Sequence, residues 1–395
     1  IVALNAETGE YVCHYQEVPG DNWDYTATQH IILADLVIDG KMRKTMLHAP
    51  KSGFFYVVDR TDCGFISAEP FVKTTWATAY DANGRPVEDP RARNAKVKFE
   101  VTPSPYGAHN WHPMSYSPQT GLVYIPAQGV PLLLEQDSRE AWSFNANLPG
   151  RPHSNLGWNL GWLVSATPPG ERPFGTLIAW DPVKQKEVWR QQYVSPWNGG
   201  TLATAGNLVF QGSADGRFIA YDATTGATIW QTPVGSGVVA APSTYEVDGQ
   251  QYVTVLAGWG GVYGITQRHT DRVGPGTVYT FKVGGEAKMP SFVNADAGAL
   301  VKGVSYNKED YPTGAALYIA NCVFCHGVPA VNNGGNVPNL GYSDKETIEK
   351  LEDILLSNAF VEAGMPSFKG KLSDAEIRKI SAFIQGTADA VAGAK

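Results

Sequence analysis

The fold class is best indicated by one short stretch, which reads Ala220-Tyr221-Asp222-Ala223-Thr224-Thr225-Gly226-Ala227-Thr228-Ile229-Trp230. A strand-like run ends at Asp222, and Thr225-Gly226 supplies the turn. The next strand-like run carries Trp230. Short apolar runs separated by turn residues predict β-structure, and here one hairpin holds a tryptophan at a defined offset from its turn.

The same frame repeats along the chain. It occurs at Ala3-Leu4-Asn5 with a Thr8-Gly9 turn, at Ala179-Trp180-Asp181 with Trp189, and more loosely at Val57-Val58-Asp59. One repeat per β-hairpin is typical of a β-propeller. A β-sandwich also contains Thr-Gly turns, but it would not place a tryptophan at a fixed offset after each one. We therefore predict an all-β propeller.

Composition divides the chain, which is long enough at 395 residues for two domains. Residues 1–285 are rich in Gly, Trp, Tyr, Thr and Pro and are predicted to form the propeller, 286–305 a linker, and 306–395 a small all-α domain. The net charge of −7 does not suggest a nucleic-acid partner, which would favour a basic patch. No apolar run approaches the length of a membrane span.

The helical region contains a haem-attachment motif, Asn321-Cys322-Val323-Phe324-Cys325-His326-Gly327. Cys322 and Cys325 are predicted to bind the haem vinyl groups covalently, and His326 to be the proximal iron ligand. Zinc is the alternative for two cysteines and a histidine, but no second Cys/His pair follows nearby. Met365, in Gly364-Met365-Pro366, is predicted to be the sixth iron ligand, with a core-filling role as its alternative.

Three helices are predicted in this cytochrome c domain. The first contains Gly314 and Tyr318 and crosses the last, which follows a capping box, Ser373 to Glu376. A second capping box, Ser343 to Glu346, predicts a middle helix that ends near Asn358. Pro338-Asn339-Leu340 resembles the cytochrome segment whose proline carbonyl holds the proximal histidine.

The repeated Ala-x-Asp-x-x-Thr-Gly-x-x-x-Trp frame resembles the tryptophan-docking motif of the quinoprotein alcohol dehydrogenases, eight-bladed propellers that hold pyrroloquinoline quinone (PQQ). The cytochrome domain narrows the resemblance to the quinohaemoprotein alcohol dehydrogenases. The resemblance covers essentially the whole chain, but only the later half of the propeller. An N-terminal half is expected upstream, in the same protein or a separate chain, with the vicinal cysteine pair, the earlier calcium ligands and several quinone contacts. Ile1 opens directly into a strand-like run, and no signal peptide is visible.

The resemblance implies that Asp24, in Asp21-Asn22-Trp23-Asp24-Tyr25-Thr26, is both the catalytic base and a calcium ligand. A carboxylate can do both, because one oxygen can bind a hard cation while the other accepts a proton. Taken alone, the run would be a solvated turn. Relatives that use a lanthanide have a second Asp two positions on, and Thr26 in that position therefore favours calcium.

The resemblance also implies a set of PQQ contacts. Lys51 and Asn110 are expected to bond the quinone, although a lone lysine before a strand is usually a surface charge. Trp111, Trp197 and Val262 could instead simply pack between blades. The full predicted set is Lys51, Asn110, Trp111, Trp197, Asn198, Gly261 and Val262.

The implied function is periplasmic oxidation of small alcohols to aldehydes or ketones with PQQ and Ca²⁺. Electrons are expected to pass to haem c and then to an external acceptor such as a small redox protein or a quinone. One alternative is another hydroxylated or amine-bearing substrate, and another is a non-catalytic electron-transfer subunit.

An irregular stretch from Pro131 to Val164 is expected to wall the substrate channel, face the cytochrome, or cover the surface.

The remaining two cysteines occupy equivalent places in the repeat. Cys13 stands ten positions after Ala3, where the frame has its tryptophan, and Cys63 stands six after Val57, where the frame has its glycine. Family structures stack that tryptophan on the glycine turn of the next blade. The resemblance therefore implies a Cys13–Cys63 disulfide, with Cα atoms within about 7 Å. The alternative is two unrelated buried thiols.

Overall fold

The computed structural model describes residues 1–93, 98–134, 174–261, 270, 272–293, 298–330 and 337–393. Two compact units are present. The first comprises Ile1–Gln136, Ala166–Trp259 and Pro275–Val293, and the second includes Gly260–Gly274 and Asn294–Lys395. The irregular stretch predicted from Pro131 onward lies outside the described residues from position 135, and Val262 also lies outside them.

The first unit consists of antiparallel sheets, and in most of them neighbouring strands are consecutive in the chain; the exceptions are β9 with β12 and β11 with β13. β1 Val2–Leu4 pairs with β2 Tyr11–His14. A four-stranded sheet contains β3 Ile32–Ile38, β4 Lys41–His48, β5 Phe54–Asp59 and β6 Phe65–Pro70. Two two-stranded sheets follow: β7 Ala77–Tyr80 pairs with β8 Pro86–Glu88, and β9 Phe99–Val101 pairs with the later strand β12 Leu132–Leu134.

Two further four-stranded sheets and one three-stranded sheet complete the described part of this unit. They contain β10 Ser115–Ser117, β11 Leu122–Gly129, β13 Phe174–Asp181 and β14 Lys186–Tyr193; β15 Thr201–Ala203, β16 Leu208–Gly212, β17 Arg217–Asp222 and β18 Thr228–Pro233; and β19 Ser243–Val247, β20 Gln250–Ala257 and β21 Thr277–Phe281.

Apolar clusters lie between successive sheets. Phe55 of β5 packs against Trp180 of β13, with ring centroids 5.9 Å apart, in a cluster that joins those two sheets. β5 and β11 are buried along their whole length, because a sheet packed on both faces needs apolar side chains on both. Successive four-stranded sheets packed face to face are propeller blades, and the predicted fold is confirmed.

The tryptophan-docking contact is present between two of these blades. Trp189 lies over the Gly226 turn, where a Cβ would come within 2.7 Å of the indole, and its Nε1 donates to Ala223 O at 3.1 Å. Cys13 and Cys63 are joined by a disulfide with Cα atoms 5.7 Å apart, which confirms the prediction. Cys63 has φ +59°, a left-handed conformation that suits the glycine of the frame.

The second unit is helical. Its helices are α1 Tyr311–Asn321, α2 Val323–His326, α3 Lys345–Glu349, α4 Leu351–Leu356 and α5 Asp374–Gly393, with short 3₁₀ turns at Lys308–Asp310 and Leu340–Tyr342. The predicted crossing of α1 and α5 is confirmed, because a Cβ on Gly314 would lie 1.8 Å from Lys379 O and the Tyr318 and Phe383 rings are 5.3 Å apart. No helix in the described ranges has both the length and the apolar character that a bilayer crossing requires.

The predicted middle helix needs two corrections. Its cap is Asp344, whose carboxylate accepts from Thr347 N at 2.7 Å, and not Ser343. The helix is also divided into α3 and α4 at Lys350, and it ends at Leu356 instead of near Asn358. The capping box at Ser373 is confirmed by reciprocal hydrogen bonds with Glu376.

Both ends of the predicted linker pack against a unit. Met289 packs on the cluster that joins the last two sheets of the first unit. Val301 and Val304 belong to the core of the helical unit, where Gln385 of α5 donates to Val301 O and accepts from Val304 N, both at 3.2 Å. The sequence of this linker shows no hydrophobic periodicity, because its described residues pack without forming a helix or a strand. The domain boundaries at 285 and 306 stay predictions.

Candidate active site and candidate haem cavity

The blade topology explains why residues that are distant in sequence approach each other. In an up-and-down sheet of four strands, the second-to-third turn and the connections to neighbouring sheets lie at the same end. Asp24 lies between β2 and β3, Lys51 between β4 and β5, Asn110 between β9 and β10, and Trp197 between β14 and β15. All four are therefore expected at one end of the blades. We name three of these segments the Asp24 loop (residues 20–30), the Lys51 loop (49–53) and the Asn110 loop (106–113).

Asp24 is held in an unusual backbone conformation. Its φ of +60° is left-handed, a region that Asp tolerates better than most residues but that still implies strain. The Asp21 carboxylate stabilises this turn by accepting from Trp23 N at 2.9 Å and from Tyr25 N at 2.8 Å. Burial raises the pKa of Asp21, while these two backbone amides oppose the shift. The Asp24 side chain consequently projects into solvent and is 58% exposed.

Lys51 and Asp24 lie in contact. Its Nζ donates to Asp24 O at 3.0 Å and lies 3.8 Å from Asp24 Oδ1, while its side chain is only 10% exposed. The stem lies against Gly107, where a Cβ would come within 2.4 Å of Lys51 Cγ. Burial lowers the pKa of Lys51, and the Asp24 carboxylate opposes that shift. A partly desolvated ammonium beside an exposed carboxylate can bind an acceptor-rich anion.

Aromatic rings from two connections meet beside this pair of loops. His112 stacks on Trp111 at 4.2 Å between ring centroids and meets Trp197 edge-on at 4.6 Å. Trp111 is 44% exposed, whereas Trp197 is buried. Burial lowers the pKa of His112 to about 3, and its Nε2 has no hydrogen-bond partner among the described residues. No pattern in the sequence singles out this histidine.

Two predicted contacts are already engaged in holding loops. Asn110 Nδ2 donates to Tyr106 O at 2.8 Å, and its Oδ1 accepts from Trp111 N. Asn198 is buried, donates to Ser195 O at 2.7 Å and accepts from Ala214 N at 3.0 Å. The structure therefore gives Asn198 a bracing role that the sequence analysis did not foresee. Gly261 is exposed with φ +72° in the second unit, and its PQQ contact stays a prediction.

The donor set fits PQQ, a flat quinone with several carboxylates. Lys51 supplies a buried cation whose Nζ donates to Asp24 O and lies 3.8 Å from Asp24 Oδ1, and His112 supplies a buried polar atom without a described partner. Among the residues that the structure describes, no group of three or more acidic, His or Cys side chains could hold a metal ion. Calcium takes six to eight oxygen ligands, so most of its ligands would come from outside this set.

The helical unit contains a cavity of about 380 Å³ with largely apolar walls. Cys322, Cys325, His326 and Met365 all line it, together with apolar residues such as Leu351 and Phe368. His326 Nδ1 lies 2.7 Å from Pro338 O, as predicted, which fixes the ring and leaves Nε2 for iron. The two thiols, the oriented imidazole and the thioether all line this cavity. Together they fit a covalently attached haem.

Comparisons with known proteins identify the family of each unit. The PQQ family model, described as glucose/ethanol/alcohol dehydrogenase, beta-propeller domain, matches residues 1–66 and 82–253. The model described as cytochrome c oxidase, cbb3-type, subunit III matches residues 309–384. The chain is 57% identical over 394 residues to the 1-butanol dehydrogenase (cytochrome c) of Thauera butanivorans. It is 58% identical over 391 residues to the quinohemoprotein alcohol dehydrogenase of Comamonas testosteroni.

These alignments include 99% of this chain but only 56% and 55% of the two relatives. The crystal structure of the Comamonas testosteroni enzyme matches with a TM-score of 0.86 at 56% identity, covering 99% of this chain and 57% of that one. The chain thus spans slightly more than half the length of the curated relatives that it matches.

Fold and sites together define a quinoprotein propeller joined to a c-type cytochrome. The matched family model covers more than half of the sequence. The chain belongs to the glucose/ethanol/alcohol dehydrogenase propeller family, and its resemblance to the quinohaemoprotein alcohol dehydrogenases is confirmed. The PQQ propeller model supports PQQ as a cofactor, and the cytochrome model and the quinohemoprotein relatives support haem c, whereas calcium stays a prediction.

Proposed function

We propose that the protein oxidises alcohols to aldehydes or ketones and passes the electrons through its own haem to an external acceptor. The observation that carries this proposal is the Asp24–Lys51 pair at one end of the blades, in the same chain as a cavity lined by the haem-attachment residues. The names of the two relatives above support an alcohol as the substrate.

Asp24 is the proposed general base and calcium ligand. Its Oδ1 accepts from Thr26 Oγ1 at 2.7 Å and faces Lys51, whereas Oδ2 has no hydrogen-bond partner among the described residues. The two oxygens therefore have different surroundings, and one remains available for the hydroxyl proton or the cation. Its exposed position lets a small alcohol approach, and Thr26 adds no second negative charge that would favour a trivalent ion.

Lys51 is proposed to hold the cofactor oxygens and, through its bond to Asp24 O, the backbone of the base. Trp111, which is 44% exposed, offers a flat ring to the cofactor, and the buried Trp197 supports it edge-on. When bound, PQQ with calcium supplies the acceptor for the substrate hydride, and haem c supplies a one-electron carrier. Asn110, Asn198, Gly261 and Val262 complete the proposed set of PQQ-site residues.

In the cytochrome, Cys322 and Cys325 are proposed to attach the haem, and His326 and Met365 to ligate the iron. The final acceptor is proposed to be a small redox protein or a quinone. A periplasmic location is supported by two features that need an environment outside the cytoplasm, the Cys13–Cys63 disulfide and the haem-attachment motif.

The experiment is anaerobic mixing of the full-length protein with alcohols while the haem absorbance is recorded. We expect ferrous haem to form only when PQQ and calcium are both present, and not in Asp24→Asn, which keeps the haem. Reduction by amines or by other hydroxylated compounds alone would favour the alternative substrate class. A haem that chemical reductants reduce and no substrate reduces would indicate a non-catalytic electron-transfer subunit.

A further inference from the structure

His109 is fully buried and stands at the junction of the three site loops. Its Nδ1 lies 2.6 Å from Ala49 O in the Lys51 loop, and its Nε2 lies 2.6 Å from His112 O in its own Asn110 loop. Its backbone oxygen accepts from Gln29 Nε2 at 2.8 Å, and Gln29 belongs to the Asp24 loop. One residue therefore contacts the three loops that carry Asp24, Lys51 and Asn110.

The contacts come close to the functional residues along the chain. Ala49 is two positions before Lys51, and His112 is two positions after Asn110. A small displacement at His109 would therefore be transmitted through a short, turn-bound backbone. The Lys51 and Asn110 loops share one further backbone bond, Ala108 N to Lys51 O at 3.0 Å, which does not fix their relative rotation.

The tautomer of the neutral ring decides which link it makes. Burial lowers the pKa of His109 to about 4, although both carbonyls oppose that shift. Near neutral pH the ring carries one N–H and donates to one of its two carbonyl neighbours. With hydrogen on Nδ1 it joins the Lys51 loop to the Asn110 loop, whereas with hydrogen on Nε2 it braces the Asn110 loop internally.

We propose that His109 is a positioning residue that sets the quinone-binding Lys51 against the Asn110 loop through Nδ1, and the base Asp24 through Gln29. This inference rests on the proposed function, since it assigns the residue that holds that site in register. His109 is not expected to touch substrate or cofactor.

Two amide substitutions separate the two ring nitrogens. An asparagine amide occupies roughly the place of Nδ1 and a glutamine amide roughly that of Nε2, so His109→Asn keeps the donor to Ala49 and His109→Gln keeps the donor to His112. In full-length, PQQ-depleted protein with saturating calcium, equilibrium dialysis measures the Kd for PQQ. We expect His109→Gln to raise this Kd about tenfold, the factor that 1.4 kcal/mol represents, and His109→Asn to stay within about threefold of wild type.

A third variant tests the link to the base. Gln29→Met is nearly isosteric and removes the donor to His109 O. We expect a fall in kcat for alcohol-dependent haem reduction of about tenfold, with the Kd for PQQ within about threefold of wild type. A general loss of packing would not divide the two readouts in this way, so Gln29→Met keeps the inference testable if a His109 variant fails to fold.

Thr45→Val is the matched control, because Thr45 is equally buried and donates to Ala34 O at 2.8 Å within one sheet without joining loops. Melting temperatures of all variants should fall similarly, while only the loop variants change Kd or kcat. The inference alone is overturned if wild type binds PQQ and one of two results is found. Either His109→Gln has the same Kd for PQQ as Thr45→Val, or His109→Asn binds PQQ more weakly than His109→Gln. Wild-type protein that does not bind PQQ overturns the proposed function and the inference together.

Discussion

Replacing both Cys13 and Cys63 by serine should destabilise the propeller strongly. The disulfide closes a loop with a sequence separation of 50 residues. In the chain-entropy model, releasing a loop of that length lowers the free energy of unfolding by about 4 kcal/mol. With a denaturant slope of roughly 4 kcal/mol per molar, the unfolding midpoint should fall by roughly 1 M guanidinium chloride.

The assay is equilibrium unfolding of the full-length protein, followed by tryptophan fluorescence for the propeller and by haem absorbance for the cytochrome. Two probes are needed because a protein with two units does not unfold in one step. The fluorescence transition should move while the haem transition stays in place. Wild-type protein treated with a reductant in denaturant and then refolded with its thiols blocked serves as the chemical counterpart.

A second variant tests why the disulfide stands where it does. Cys13→Trp combined with Cys63→Gly recreates the pair that Trp189 and Gly226 form between two other blades. Glycine also suits the φ of +59° at position 63. We expect this variant to be more stable than the double serine variant by about 1–3 kcal/mol, the gain from burying an aromatic ring. The reasoning would be refuted if wild type and the double serine variant had equal unfolding midpoints. It would also be refuted if Cys13→Trp with Cys63→Gly were no more stable than the double serine variant.

The remaining predictions concern the two sites and the helix crossing. Met365→Ala should keep the haem attached and lower its reduction potential, because a thioether favours ferrous iron; survival of the absorption band of Met ligation would contradict this. Asp24→Asn should retain the haem and lose alcohol oxidation by roughly 10²–10⁴-fold, and wild-type turnover at saturating PQQ and calcium would refute the assignment. Asp21→Ala should free two backbone amides and destabilise the Asp24 turn by about 1–3 kcal/mol, seen as faster hydrogen exchange there. Gly314→Val should push α1 away from Lys379 O and lower the haem-monitored unfolding midpoint, with an unchanged midpoint as the contrary result.

The repeat and the haem motif could be predicted because their physics is local. A tryptophan at a fixed offset from a Thr-Gly turn needs only its own hairpin and the next turn, as Trp189 over Gly226 shows. The Cys13–Cys63 pairing came from the resemblance, because family structures stack that tryptophan on the glycine turn of the next blade. Two thiols and an imidazole at fixed spacing likewise describe a haem attachment without knowledge of the fold. The roles of Asp24 and Lys51 came from resemblance, and the structure adds their proximity.

The missed features depend on partners that are distant in sequence. His109 contacts carbonyl groups, which carry no sequence signal, and its role follows only from the approach of Ala49 and Gln29. Ser343 and Asp344 are both good helix caps, and the sequence could not rank them. In the sequence Asn198 looks available for a cofactor, because its hydrogen-bond donor Ala214 is 16 residues away, in the connection between β16 and β17.

The crossing of α1 and α5 links the haem-attachment motif to the last helix of the described residues. α1 ends at Asn321, directly before the thiols, and its Gly314 lies against Lys379 O of α5. Ile380 of α5 also lines the cavity that contains those thiols. A chain truncated before α5 would therefore keep the attachment motif and lose both the partner of α1 and part of the cavity wall.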